Sequence, residues 1–129
     1  MADPNGNFHV RRSTLVSIEL HNVTLDCDDP GTVAAFWSAA LDRPVDDGGS
    51  EFFVSIGRHD ASRPGWFFIK VPEPKQVKNR AHFDLHADDR EAEVARLLGL
   101  GATKVGDYDE YGARWTTLQD VEGNEFCVA

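Results

Sequence analysis

Apolar and polar side chains alternate through Val23, Leu25 and Cys27, and again through Phe83, Leu85 and Ala87. Period-two alternation predicts strands with one buried face. Each strand runs into paired aspartates, Asp28-Asp29 and Asp88-Asp89, and then into a helical pattern. A carboxylate before the first turn caps the exposed backbone N–H groups there, and Pro30 suits a turn whose donors have no partner. Ala34, Trp37, Ala40 and Leu41 recur at helical spacing after the first pair, and Val94, Leu97 and Leu98 after the second. Gly99 and Gly101 end the second helix. The elements expected in chain order are a strand from Leu15 to Cys27, a helix to Leu41 and a short strand at Val45. Strands from Glu51 to Gly57 and from Gly65 to Val71 follow, with a loop from Arg58 to Pro64 between them. A strand from Arg80 to Ala87 then leads to a helix ending at Leu100 and a short strand at Val105. Strands from Ala113 to Gln119 and from Asn124 to Ala129 flank a turn at Asp120 to Gly123.

The halves repeat. One gap-free offset carries Asn22–Asp29 onto His82–Asp89, pairing Val23 with Phe83, Leu25 with Leu85 and Asp29 with Asp89. The same offset pairs Ala34 with Val94, Trp37 with Leu97 and Val45 with Val105. Such a period means one supersecondary unit used twice, each copy reading β-α-β-β-β. The expected fold is α+β: two tandem βαβββ modules forming a curved mixed sheet, with a concave cleft and the helices outside. Residues 1–14 are expected to be a polar flexible arm. Residues 15–129 form one domain, with module one at 15–71, a linker at 72–79 and module two at 80–129.

The formal net charge of -9 repels phosphate backbones and anionic bilayers, so neither nucleic acid nor a membrane is an expected partner. It favours a neutral or cationic ligand. No apolar run is long enough to span a bilayer, and the polar start has no signal-peptide core. The two cysteines, Cys27 and Cys127, have no disulfide-framework spacing. A cytoplasmic location is expected.

Several stretches carry a family resemblance: Asp29-Pro30 with Phe36-Trp37 and Leu41, Asn79-Arg-Ala-His82-Phe-Asp-Leu, Leu100-Gly-Ala, and Asp120-Val-Glu-Gly-Asn-Glu-Phe-Cys127. Together they resemble the vicinal oxygen chelate superfamily and its glyoxalase-like subgroup, from Ser17 to Ala129. That superfamily includes glyoxalase I, extradiol dioxygenases, and the fosfomycin- and bleomycin-resistance proteins. The resemblance implies a cleft on the concave face of the paired modules, and a homodimer. In metal-dependent members, one position on the first and one on the last strand of each module ligate a divalent ion, mostly through His and Glu. His82 stands as far before Asp89 as Asn22 stands before Asp29, so Asn22, not His21, takes the equivalent position. Counting from the turn glycines, Gly65 and Gly123, gives Ile69 and Cys127. Asn and Ile are poor ligands, and His82 with Cys127 makes no stable site.

The expected function is therefore binding of a small organic molecule in the cleft between the modules, with no cofactor. The ligand-binding candidates are Asn22, Thr24, Trp66, Phe68, His82, Asp84, His86, Trp115, Glu125 and Cys127. The polar members share strand faces that a purely structural sheet fills with aliphatics. The aromatic ones serve equally as cleft walls or as core. His82, next to Asp84 or His86, is the best catalytic candidate, as a general base. The alternative function is a metal-dependent lyase, isomerase or dioxygenase acting on a vicinal-oxygen substrate, with Zn, Mn, Ni or Fe held by His82 and Glu125.

Overall fold

The computed structural model describes residues 17–129. The expected arm at 1–14, together with Leu15 and Val16 of the expected first strand, lies outside the described residues. Module one comprises β1 (Asn22–Cys27), α1 (Pro30–Leu41), β2 (Phe53–Ile56) and β3 (Gly65–Lys70). Module two comprises β4 (Phe83–Leu85), α2 (Arg90–Gly99), β5 (Thr103–Glu110), β6 (Ala113–Gln119) and β7 (Glu125–Val128). The strands form two sheets, ordered β1-β3-β2 and β4-β7-β6-β5. In each sheet the module's first strand runs parallel to its last, and the other neighbours are antiparallel.

The tandem α+β repeat is thus present, and its departures from the expected bounds have local causes. β1 starts at Asn22 because its ladder partner β3 starts at Gly65, opposite Asn22. Ile18 and Leu20, upstream of that partner, are exposed. Val45 makes only an isolated bridge to Ile56. Beyond it the Asp46 carboxylate accepts bonds from the Ser55 hydroxyl (2.7 Å) and the Arg58 amide (2.9 Å), which turns the chain instead of extending a ladder. β5 outgrows the short strand expected at Val105 because β6 pairs with it from Thr103 to Glu110.

Both capping aspartates act as the repeat implies. Asp29 accepts from the Thr32 amide at 3.3 Å and from its hydroxyl at 2.7 Å, and Asp89 accepts from the Ala92 amide at 3.1 Å. Gly101, at φ +114°, reverses the chain after α2; a Cβ there would meet a Val121 methyl at 3.0 Å.

One core joins the modules. Trp37, fully buried on α1, meets Trp66 of β3 at 5.0 Å between ring centroids, Phe83 of β4 at 6.0 Å and Phe126 of β7 at 5.0 Å. Its Nε1–H donates to the buried Asp120 carboxylate at 2.9 Å. The helix-covered faces of the two sheets therefore meet at this indole, and their other faces turn outward. No helix among the described residues is long and apolar enough to cross a membrane.

Candidate ligand-binding cleft

The outward face of the second sheet is concave and forms a cleft of about 680 Å³. Strand alternation decides which side chains reach it. His82 and Asp84 line it at β4, Trp115, Thr117 and Gln119 on β6, and Glu125 and Cys127 on β7. Val105, Tyr108 and Glu110 of β5 and Lys78 of the linker complete much of the wall. Tyr108 and Trp115 are ladder partners, and their rings stack with centroids 5.5 Å apart and planes 19° from parallel. They give the cleft a flat aromatic side. Across from it stand the imidazole and the carboxyl groups.

Glu125 is the most constrained of these groups. Its side chain is 9% exposed, and both carboxylate oxygens are occupied: Lys75 Nζ donates to Oε1 at 3.0 Å and the Asn79 amide to Oε2 at 2.9 Å. Burial pushes this carboxyl up, but the Asn79 and Lys75 hydrogen bonds outweigh burial, and the net pKa is lowered. The Asn79 side chain continues the linkage, donating to Asn124 Oδ1 at 3.1 Å. Asn124 in turn donates to Asp120, the acceptor of the Trp37 indole. The linker is thereby tied across β7 to the core.

A depressed carboxylate pKa stabilises the fold above the group's ordinary value, near 4.5, and that stability is lost as pH falls through the lower folded value. The expected result is an acid-side loss of stability that Glu125→Gln removes. Urea unfolding of both proteins between pH 7 and pH 3 checks it; parallel pH curves would rule it out. The difference between the proteins is needed because Glu122 has the opposite sign. Its burial raises its pKa despite bonds from the Asp28 and Asp29 amides.

The two thiols differ in exposure. Cys27 is 1% exposed, and burial, with nearby Glu122 and Asp26 adding to it, pushes its pKa up to about 12. Cys127 is half-buried on the cleft wall, 3.4 Å from the Thr117 hydroxyl. Iodoacetamide is expected to alkylate Cys127 in the folded protein and Cys27 only after unfolding. Peptide mass mapping reads the order, and early labelling of Cys27 would contradict it.

Of the ten candidate residues, the cleft gathers His82, Asp84, Trp115, Glu125 and Cys127. The other five lie elsewhere. Trp66 and Phe68 are in the core, 6% and 0% exposed. The ladder sets them beside Val23 and Leu25, on the face under α1. Asn22 bonds the His21 ring at 2.9 Å beside Gly65, and its Oδ1 is buried without a partner. Thr24 is exposed near the linker. His86, beyond the end of β4, is exposed and 3.3 Å from Asp88. The cleft thus sits on one module rather than between two, because Trp37 and its neighbours fill the space where the modules meet. Tyr108, Val105 and Lys78 were not legible as wall residues. The β5–β6 pairing carries Tyr108 onto Trp115, and it runs beyond the short strand expected at Val105.

The family model for a glyoxalase-like domain matches residues 22–129. The chain belongs to this glyoxalase-like family. Solved structures of the vicinal oxygen chelate fold agree with it. A glyoxalase/bleomycin resistance protein/dioxygenase family enzyme from Burkholderia phytofirmans PsJN is 20% identical, with a TM-score of 0.69 over 86% of this chain and 97% of that one. A fosfomycin resistance protein from Listeria monocytogenes, complexed with Mn(II) and 1S,2S-dihydroxypropylphosphonic acid, is 13% identical, with a TM-score of 0.69 over 88% and 90%. The bleomycin-binding protein of Streptomyces verticillus, complexed with copper(II)-bleomycin, is 14% identical, with a TM-score of 0.60 over 89% and 98%. At these identities the likeness carries the fold alone. No curated protein matches the chain.

The metal positions of the glyoxalase-like fold can be tested on the donors present. Asn22 and Ile69 are in the first sheet, away from the cleft. Cys127 shares the cleft with His82 and Asp84, and the further carboxylate on β7, Glu125, already has both oxygens bonded. Among the described residues no three His, Cys, Asp or Glu side chains gather as a metal site.

Proposed function

We propose that this glyoxalase-like protein binds a small, flat organic molecule in the cleft of its second sheet, without a catalytic metal. The observation that carries the reading is the Tyr108–Trp115 stack inside a concavity of small-molecule size, faced by His82 and Asp84. An aromatic wall supplies contact area at little conformational cost, and a few polar groups orient the guest. His82 is the group best placed to take a proton from a bound molecule. The ion pair that claims Glu125 supports the absence of a metal from the reading. The Streptomyces verticillus neighbour, named for binding bleomycin, supports a binding role on this fold. The reading takes the protein as a homodimer. Val105 (51% exposed) and Tyr108 (38%) leave apolar surface at the cleft that a second copy would cover.

The test is a thermal-shift screen of neutral and cationic aromatic compounds on protein held in a chelator, followed by calorimetry. Saturable binding in the chelator, lost in His82→Ala, is expected. One observation favours the alternative of a metal-dependent lyase, isomerase or dioxygenase: His82 and Glu125 line the same cleft. Binding that appears only with added Zn, Mn, Ni or Fe(II), and that both His82→Ala and Glu125→Gln remove, would replace the proposal with that alternative.

A further inference from the structure

The linker after β3 concentrates positive charge in a chain of net charge -9: Lys75, Lys78 and Arg80 fall within a few residues of one another. Like charges this close repel, so their disposition in space matters. Lys75 is committed to Glu125 and to the Val77 carbonyl. The Lys78 and Arg80 side chains have no hydrogen bond or ion pair among the described residues. Both line a second groove, of about 510 Å³, at the seam between the modules. Val23, Thr24 and Leu25 of β1 and Phe83 of β4 form its other side, with Gln76, Val77 and Asn79. Among the described residues no carboxylate lines it. Among the described residues β1 and β4 are both end strands of their sheets, each with one edge that no described strand pairs.

We infer that this seam groove binds a small amphiphilic oxyanion: a phosphate or carboxylate held by Lys78 and Arg80, with an apolar body against Val23, Val77 and Phe83. Val77 is 76% exposed, an apolar side chain left open beside two unpaired cations. The protein's overall negative field does not prevent this. At physiological salt, charges beyond about 8 Å are largely screened, so the adjacent cations dominate. The groove is separate from the aromatic cleft, with Lys78 lining both. Arg80 belongs to the groove alone and is therefore the discriminating residue.

The experiment is a titration of the intact protein with phenyl phosphate, with inorganic phosphate and phenol as single-part probes, followed by backbone amide NMR. Phenyl phosphate is expected to shift Val23, Thr24 and Val77 saturably. Arg80→Gln should weaken binding about tenfold, as expected for the loss of one charge-assisted contact. Raising salt should weaken it in the wild type, phosphate should bind more weakly, and phenol should not bind the groove. Arg80 is exposed, so the variant is expected to keep its fold, which its spectrum verifies. If it does not fold, Lys78→Gln and the wild-type salt series still decide. Absence of saturable shifts at these residues, equal binding of phenol, indifference to Arg80→Gln and salt, or shifts confined to Tyr108 and Trp115 would each overturn the assignment.

Discussion

Trp37→Ala is expected to cost about 4 kcal/mol of folding stability. Two effects combine. The indole is 0% exposed and touches four aromatic rings, Phe36, Trp66, Phe83 and Phe126, so its removal leaves a cavity lined by both modules. Its N–H also donates to Asp120, which is 3% exposed, so one acceptor site of a buried carboxylate loses its partner. Domains of this size have about 5–15 kcal/mol in total, so the variant is expected to lose a large share of its stability. Urea denaturation followed by fluorescence and circular dichroism reads the loss. Trp37→Phe separates the contributions, since it keeps most of the volume and removes only the donor; about 1–3 kcal/mol is expected there. A loss under about 1 kcal/mol in Trp37→Ala would mean that the two modules do not share one core.

Trp115→Ala is expected to weaken binding of an aromatic ligand in the cleft by at least thirtyfold, about 2 kcal/mol. The ring is half-buried and stacked on Tyr108, on the outward face of β6 away from the shared core. It is the larger half of the aromatic wall, and a ligand loses its stacking surface with it. The change in folding stability is expected to be smaller than in Trp37→Ala, because a partly exposed site leaves no enclosed cavity. Calorimetry with hits from the ligand screen, on protein shown folded by circular dichroism, gives the comparison. Trp115→Phe should recover much of the affinity. Unchanged affinity in Trp115→Ala would remove the aromatic wall from the binding site.

The repeat was readable because its signals are local. A capping aspartate, a proline in the first turn and an alternating strand depend only on near neighbours in the chain. Asp29 and Asp89 therefore both cap helices, as the offset requires. Half of the candidate site was readable for the same reason. His82 with Asp84, and Glu125 with Cys127, share strand faces by parity, and the ladder brings β4 beside β7. Parity alone did not say which face was which for Trp66 and Phe68, since an aromatic residue fits a core and a cleft wall equally well.

The sequence by itself determined the module, its duplication, the helix caps and the family, because each is written in short-range pattern. Only the tertiary structure decided how the modules meet. Trp37 draws the helix-covered faces of both sheets into one core, which leaves the second sheet's outer face as a cleft of its own. Only the tertiary structure brought Lys75 and Asn79 of the linker onto Glu125. That pairing joins residues far apart in the chain, and it follows from the route of the linker over β7 rather than from any local preference.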